Sequence, residues 1–413
     1  PPPPPPHTAT PIGLPSPYTV PTAGAMFREM YYWDTFFTNE GLVRDGHPEL
    51  AKGNTDNLLY MVRRFGKVYN GSRTYYEARS QTPYLSMMVD RIYRLTGDKQ
   101  WLADAYQTLK EEYGFWMRER LTPTGLNRYG SSASDALVDE FLVTGGKRLG
   151  TDLFDKGYTP ERLHKLGLDF VAEAESGWDF NPRYDRRCTD FCPLDLNANL
   201  FMYEVNFARF AQELGRTDEI REWIAKAELR RARILQYCYD PEAKQFYDYD
   251  YVNGRRSDVL SGAVFALLYS GAVPREYAGD IVQALIPLRH RRLRGQALRL
   301  PLPVVLSQHV APGLLLCGDG TGPLRIRQRG RTHCRQMDES GHRIVQDDGQ
   351  PLGKVQRGNG NDRCQQRIRD ARDAGLDRRH LHLSGRLSGW GDAARPAALG
   401  IHELLTTNKI TTL

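Results

Sequence analysis

What this 413-residue chain lacks narrows its reading first. It has no run of eighteen or more apolar residues, so the sequence as given holds no helical membrane span. Its start, "PPPPPPHTATPIGLPSPYTVP", has neither Met nor an apolar signal core, and reads as a polyproline-type linker or a truncated end. The six cysteines are scattered, with only Cys188 and Cys192 close together. Without a second close pair or a suitably spaced His, neither a zinc site nor a disulfide framework is indicated. Strand-like alternation is scarce. The sharpest absence is regional. Residues 287–413 contain no Tyr and no Phe, although the chain has 22 and 15 of them, while the same 127 residues hold 20 Arg, 2 Lys and 7 His. Ordinary globular composition does not look like that.

The net charge of +6 therefore says little about the whole molecule, because the basic excess is concentrated in the last third. A nucleic-acid-binding tail is the plain reading of such a region, but those tails are usually Lys-rich and interleave aromatics that stack on bases. Here Arg dominates and Trp390 is the single aromatic residue. No nucleic-acid or membrane partner is expected.

From residue 48 to 285 the chain repeats an amphipathic helix followed by a Gly, Pro or Asp turn signal. "TPYLSMMVDRIYRLTGD" places Leu85, Met88, Val89, Ile92 and Leu95 on one face and stops at Gly97. "DLNANLFMYEVNFARFAQELGR" and "TDEIREWIAKAELRRARILQYCYD" continue the series. Paired helices of this number and length predict an all-α toroid or solenoid rather than a bundle.

The chemistry lies between the helices. "FREMYYWDTFF" crowds aromatic rings around Arg28, Glu29 and Asp34, and fits either a packed helix face or one wall of a sugar pocket. "YNGSRTYYEARSQTP" sets Asn70, Arg73, Arg79 and Gln81 beside Tyr75 and Tyr76. Fork-shaped donors next to aromatic platforms suit vicinal sugar hydroxyls, although surface salt bridging uses the same residue types. In "ESGWDFNPR", Asp179 stands between Trp178 and Phe180, an apolar setting of the kind that keeps a carboxyl protonated as a general acid requires; an ordinary loop Asp is the alternative. Three such constellations in one helical chain favour a carbohydrate pocket over coincidence.

These three segments, in this order and spacing, resemble the α,α-trehalase family, whose corresponding segments read as an aromatic signature, "NGxRxYYxxRSQPP" and "SGWDFSSR". The resemblance covers about residues 20–285. It implies an all-α (α/α)6 toroid and inverting hydrolysis of trehalose, a small disaccharide, to two glucoses, with no metal and no cofactor. Carried over by position, Asp179 resembles the general acid. Trp33, Asp34, Asn70, Arg79 and Gln81 fall in the substrate-binding segments, and Arg28 and Trp178 complete that set. Two departures bear on specificity. Met26 stands where the family's "PGGRFRE" has an arginine, and no "RPE" follows Tyr129, where the chain reads "GSSASDALVDE". Hydrolysis of another small α-glucoside such as glucosylglycerate is the alternative.

Inverting hydrolysis needs a second carboxyl group to activate water. The family carries it in a segment like "EKYN" in the last third, and no such segment appears. Back-translated and read one base later, "LGKVQR" can give "WEKYN", and the region after residue 288 can give "QWSYPNMWPP". The expected organisation is thus a Pro-rich segment over 1–20, a catalytic helical domain over 21–286 and an out-of-frame, Arg-rich tail over 287–413. The chain is expected to be inactive as written, or a catalytically dead sugar-binding remnant. A soluble protein is expected, cytoplasmic or secreted.

Overall fold

The computed structural model describes residues 10–24, 27–283, 336–337 and 343–344. Met26 and nearly all of the region after 283 lie outside the described residues, and with them the readings of the missing arginine and of the shifted frame.

The helical body alternates two layers. Helices α1 (Tyr32–Arg44), α3 (Leu85–Thr96), α7 (Leu194–Glu213) and α9 (Phe265–Ser270) pack side by side as an inner layer. Helices α2 (Pro48–Phe65), α4 (Lys99–Glu119) and α8 (Thr217–Cys238) pack against them from outside, while α5 (Asp135–Leu149) and α6 (Pro160–Ser176) form a pair. This alternation is the expected (α/α)6 architecture. Strands are vestigial: β1 (Phe191–Cys192), β4 (Tyr249–Asp250) and β5 (Arg255–Arg256) form one antiparallel sheet, and β2 (Tyr239–Asp240) pairs with β3 (Gln245–Phe246). In the C-terminal region, β6 (Gln336–Met337) pairs antiparallel with β7 (Arg343–Ile344).

Local signals set the helix ends. Asp98, Ser134 and Thr159 accept backbone N–H groups of the first turns of α4, α5 and α6. In α3 the face anticipated from the sequence is buried at Leu85, Met88, Val89 and Ile92, and Gly97 closes the helix in the left-handed region. Leu95, in the last turn, is exposed. Ser86 and Met87 are buried as well, as an inner-layer helix flanked on both sides requires. The effect is strongest in α7, where every residue from Leu194 to Ala208 is buried, asparagines included. Asn197 donates to Asn127 O and Pro193 O, Asn199 to Pro83 O and Asn206 to Ser86 Oγ, so the buried NH2 group of each amide is paired.

Residues 10–19, which read as linker, are strapped to the body. Ile12 N donates to Ser72 O, Pro11 pairs with Arg73, and Ser16 and Thr19 donate to the side chains of Asn57 and Asn54.

Buried polar clusters tie the layers together. The fully buried Glu175 carboxylate takes two bonds from Arg120, at 2.9 and 3.0 Å. Arg183 is held bidentately by both Asp195 and Asp248, and Arg230 joins Glu204 to Asn127 and Asn197. Glu112 differs, since no cation pairs with it. Tyr32 and Tyr203 each donate to it at 2.6 Å, and burial pushes its pKa from 4.5 up to about 7.

Two predictions follow from this packing. Arg120→Met leaves the Glu175 charge buried without its partner, a loss on the order of 3–5 kcal/mol, read as a fall in the urea midpoint. For Glu112 the unfolded chain releases its proton at lower pH than the folded one. The group therefore withdraws stability as pH rises from about 4.5 to about 7 and adds no further slope above that. Glu112→Gln, a mimic of the protonated acid, reduces that slope and is more stable than wild type at pH 8 in the same denaturation experiment.

Candidate active site

The loops that lead into the N-termini of α1, α3, α5 and α7 meet one another, and these are the loops that carry the three motifs. Met30 and Ser72 exchange backbone and side-chain bonds, Tyr32 N donates to Asn70 O, and Trp33 N donates to Gln81 Oε1 at 2.9 Å. Asn70 Nδ2 reaches Ala174 O at 3.1 Å, and Thr82 Oγ1 reaches Ser176 O at 3.1 Å, joining the second motif to the third. Glu175 binds all of this from below: besides Arg120 it accepts Ser80 N at 2.9 Å and Gly130 N at 2.8 Å. The first and third motifs touch at Gly177. Its φ is +73°, and a Cβ there would stand 2.6 Å from the Trp33 ring, so only glycine serves both the helix end and the contact.

Each anticipated residue now has a place. Tyr32, Trp33 and Phe36 are core side chains, so the aromatic cluster is in large part packing; Phe27 and Arg28 are exposed. Asp34 is partly covered beside Trp33. Burial lifts its pKa to about 6, against the opposing hydrogen bonds of its own backbone N–H and the Trp33 side chain. Asn70, Gln81 and Trp178 are buried and engaged by the protein: Trp178 Nε1 donates to Asp195 Oδ2, and Arg183 lies over its ring at 4.7 Å. Arg79 is different. Its buried guanidinium sits about 5 Å from the rings of Tyr75, Tyr76 and Phe141, and its Nε and Nη1 have no hydrogen-bond partner among the described residues. A buried cation with two idle donors, facing aromatic platforms, is equipped to take hydroxyl oxygens.

Asp179 corrects the reading of its surroundings. The flanking rings do not cover it, because Trp178 turns into the core and Phe180 packs tilted on Phe170. The carboxyl is exposed, with Arg148 Nη1 3.6 Å from Oδ2. The loop that carries it is nevertheless fixed. Phe180, at a φ of +59°, donates its N–H to Glu173 Oε2 at 2.9 Å, and Asn181 bonds to Trp178 O and to Arg183 N. Glu173 is buried, its pKa is raised by burial to about 8, and its Oε1 has no hydrogen-bond partner among the described residues.

Sequence reasoning missed Glu173, Glu175, Arg120 and Arg148. A carboxylate adjoining "SGWD" was a usable signal for Glu175, whereas Arg120 and Arg148 are brought in only by folding. Among the described residues no group of three or more His, Cys, Asp or Glu could hold a metal ion, and no helix is long and apolar enough to cross a membrane.

The family profile named Trehalase matches residues 4–297, ending near where the Arg-rich composition begins. Among solved structures the neutral trehalase of Saccharomyces cerevisiae is similar at 27% identity with a TM-score of 0.57, over 65% of this chain and 55% of the yeast enzyme. The chain thus spans about half the length of that relative. A mannosylglycerate hydrolase from Thermus thermophilus shows 17% identity and a TM-score of 0.45, over 64% of this chain and 71% of its own. With the matched profile extending over more than half of its residues, this chain belongs to the trehalase family and is a glycoside hydrolase by ancestry.

Proposed function

We propose that the helical body is the acid-bearing part of an α,α-trehalase-like inverting glycosidase, with trehalose as substrate and Asp179 as the group that protonates the leaving oxygen. The observation that carries this reading is Arg79, whose two idle donors lie in a ring-lined setting on one of the motif loops, the others of which bear Asp34 at the start of α1 and Asp179. Trp33, Asn70, Gln81 and Trp178 then act mainly by shaping the loops, since their groups are taken up by the protein, while Arg79 and Asp34 face sugar hydroxyls and Arg28 lies at the exposed edge.

An inverting mechanism needs a base as well as an acid, with the two carboxyl groups roughly 6.5–9.5 Å apart. The family segment for that base is absent from this sequence. The chain as written is therefore proposed to bind sugar without turning it over. A second reading, hydrolysis of a different small α-glucoside, is favoured by the absence of "RPE", where the chain reads "GSSASDALVDE".

Three outcomes test these statements. The chain incubated with trehalose releases no glucose above background in a coupled assay; sustained release places the base within this chain and overturns the inactive reading. Arg79→Gln weakens sugar binding by roughly 10- to 100-fold, as expected when hydrogen bonds to a charged group are lost, measured by calorimetry. In a chain extended with the family's remaining segment, Asp179→Asn lowers kcat by about 10²–10⁴ with little change in binding, because the amide keeps the shape but has no acidic proton. Wild-type turnover in that variant moves the acid role to another carboxyl.

A further inference from the structure

The segment that departs from the family after Tyr129 builds a wall of the same site. Ser134 caps α5, and the helix lies so close to α6 that a Cβ on Gly145 would stand 2.6 Å from the Phe170 ring. This approach brings Phe141 of α5 against Arg79 and lets Tyr75 donate to Glu140 at 3.2 Å. At the last turn it places Arg148 over the Phe180 ring, 4.4 Å from the centroid. That platform is itself fixed by Glu173 through the Phe180 N–H and by the Phe170 ring beneath.

Arg148 is thus a guanidinium anchored by its face rather than by an anion. Its ion pair with Asp179 is long, at 3.6 Å, and both side chains are substantially exposed, at 58% and 38%. Pairs of this kind hold weakly and yield readily to a better-placed partner. The planar fork of an arginine matches a carboxylate bidentately. Trehalose carries no charge, and a neutral sugar gives this residue nothing to neutralise.

We propose that Arg148 is a specificity-determining residue that recognises a carboxylate on the leaving group, so that the site takes an α-glucoside of a small hydroxy acid in preference to a neutral disaccharide. The inference rests on the glycosidase reading and deepens its second form, hydrolysis of a small α-glucoside other than trehalose. On binding, the ligand carboxylate replaces Asp179 as the partner of Arg148 while Phe180 keeps the guanidinium in place. The Asp179 carboxyl is thereby released toward the glycosidic oxygen.

The test is binding to the intact chain, which needs no turnover. Calorimetric titrations with glucosylglycerate, its uncharged twin glucosylglycerol and trehalose are made on wild type, Arg148→Gln and Asp179→Asn. Wild type is expected to bind glucosylglycerate at least about tenfold more tightly than glucosylglycerol, a gap that narrows with added salt. Arg148→Gln is expected to erase that gap and leave glucosylglycerol binding unchanged. Asp179→Asn, which removes the competing carboxylate, is expected to widen it. Equal binding of the two twins by wild type, or a preference that survives in Arg148→Gln, overturns the assignment of Arg148 while leaving the sugar site intact. If none of the three glucosides binds, the sugar-site reading falls and this inference falls with it.

Discussion

Everything chemical in this molecule hangs on one buried carboxylate. Glu175 sits at the end of α6 with no exposure to solvent, and a charge in that position is tolerable only if fully paired. The two forks of Arg120, from the end of α4, supply the countercharge; the N–H groups of Ser80 and Gly130 supply the rest of the coordination. Four chain segments distant in sequence are thereby required to meet at one point. The loops around them can be irregular and rich in polar groups because their bases are pinned. The same logic repeats at Arg183, which joins Asp195 and Asp248 and so fixes the far end of the loop bearing Asp179.

The layer architecture explains what was legible in the sequence. Helix α3, whose later turns reach solvent, discloses four of its five anticipated core positions along with its glycine stop. An inner helix such as α7 has no wet face, so its asparagines and Glu204 look like surface residues until their partners on other elements are known. The motif loops were legible as chemistry because their residue types are unusual together. Their burial was not legible. Asp179 between two aromatic residues invites the inference of an apolar pocket, yet on an irregular loop neighbouring side chains point in different directions. Trp178 and Phe180 are spent on the core while the carboxyl between them faces water and Arg148.

Electrostatics divides the site into a covered part and an open part. Asp34, Glu173 and Glu112 all lie where burial favours the neutral acid, and among the described residues none of the three accepts a hydrogen bond from a cation. Asp179 is the carboxyl that stands in the open beside a guanidinium. In a neutral Glu173 the Oε1–Oε2 pair can still accept the Phe180 N–H without placing a second negative charge behind Asp179. That arrangement lets a buried acid on α6 hold the loop that presents the proposed catalytic acid, Asp179.

On the proposed reading, specificity and catalysis reside on different elements. The motif residues proposed to grip a glucosyl unit lie around the starts of α1 and α3, the proposed acid Asp179 lies on the loop into α7, and Arg148 beside it belongs to α5. Helix α5 is held by close glycine packing on α6 rather than by the Glu175 pin, which touches its leading loop only at Gly130. A segment attached in that way can be exchanged without disturbing the charges that set the acid loop. On the proposed reading, a chain that reads "GSSASDALVDE" after Tyr129 keeps its acid loop and presents Arg148 beside it to whatever group leaves.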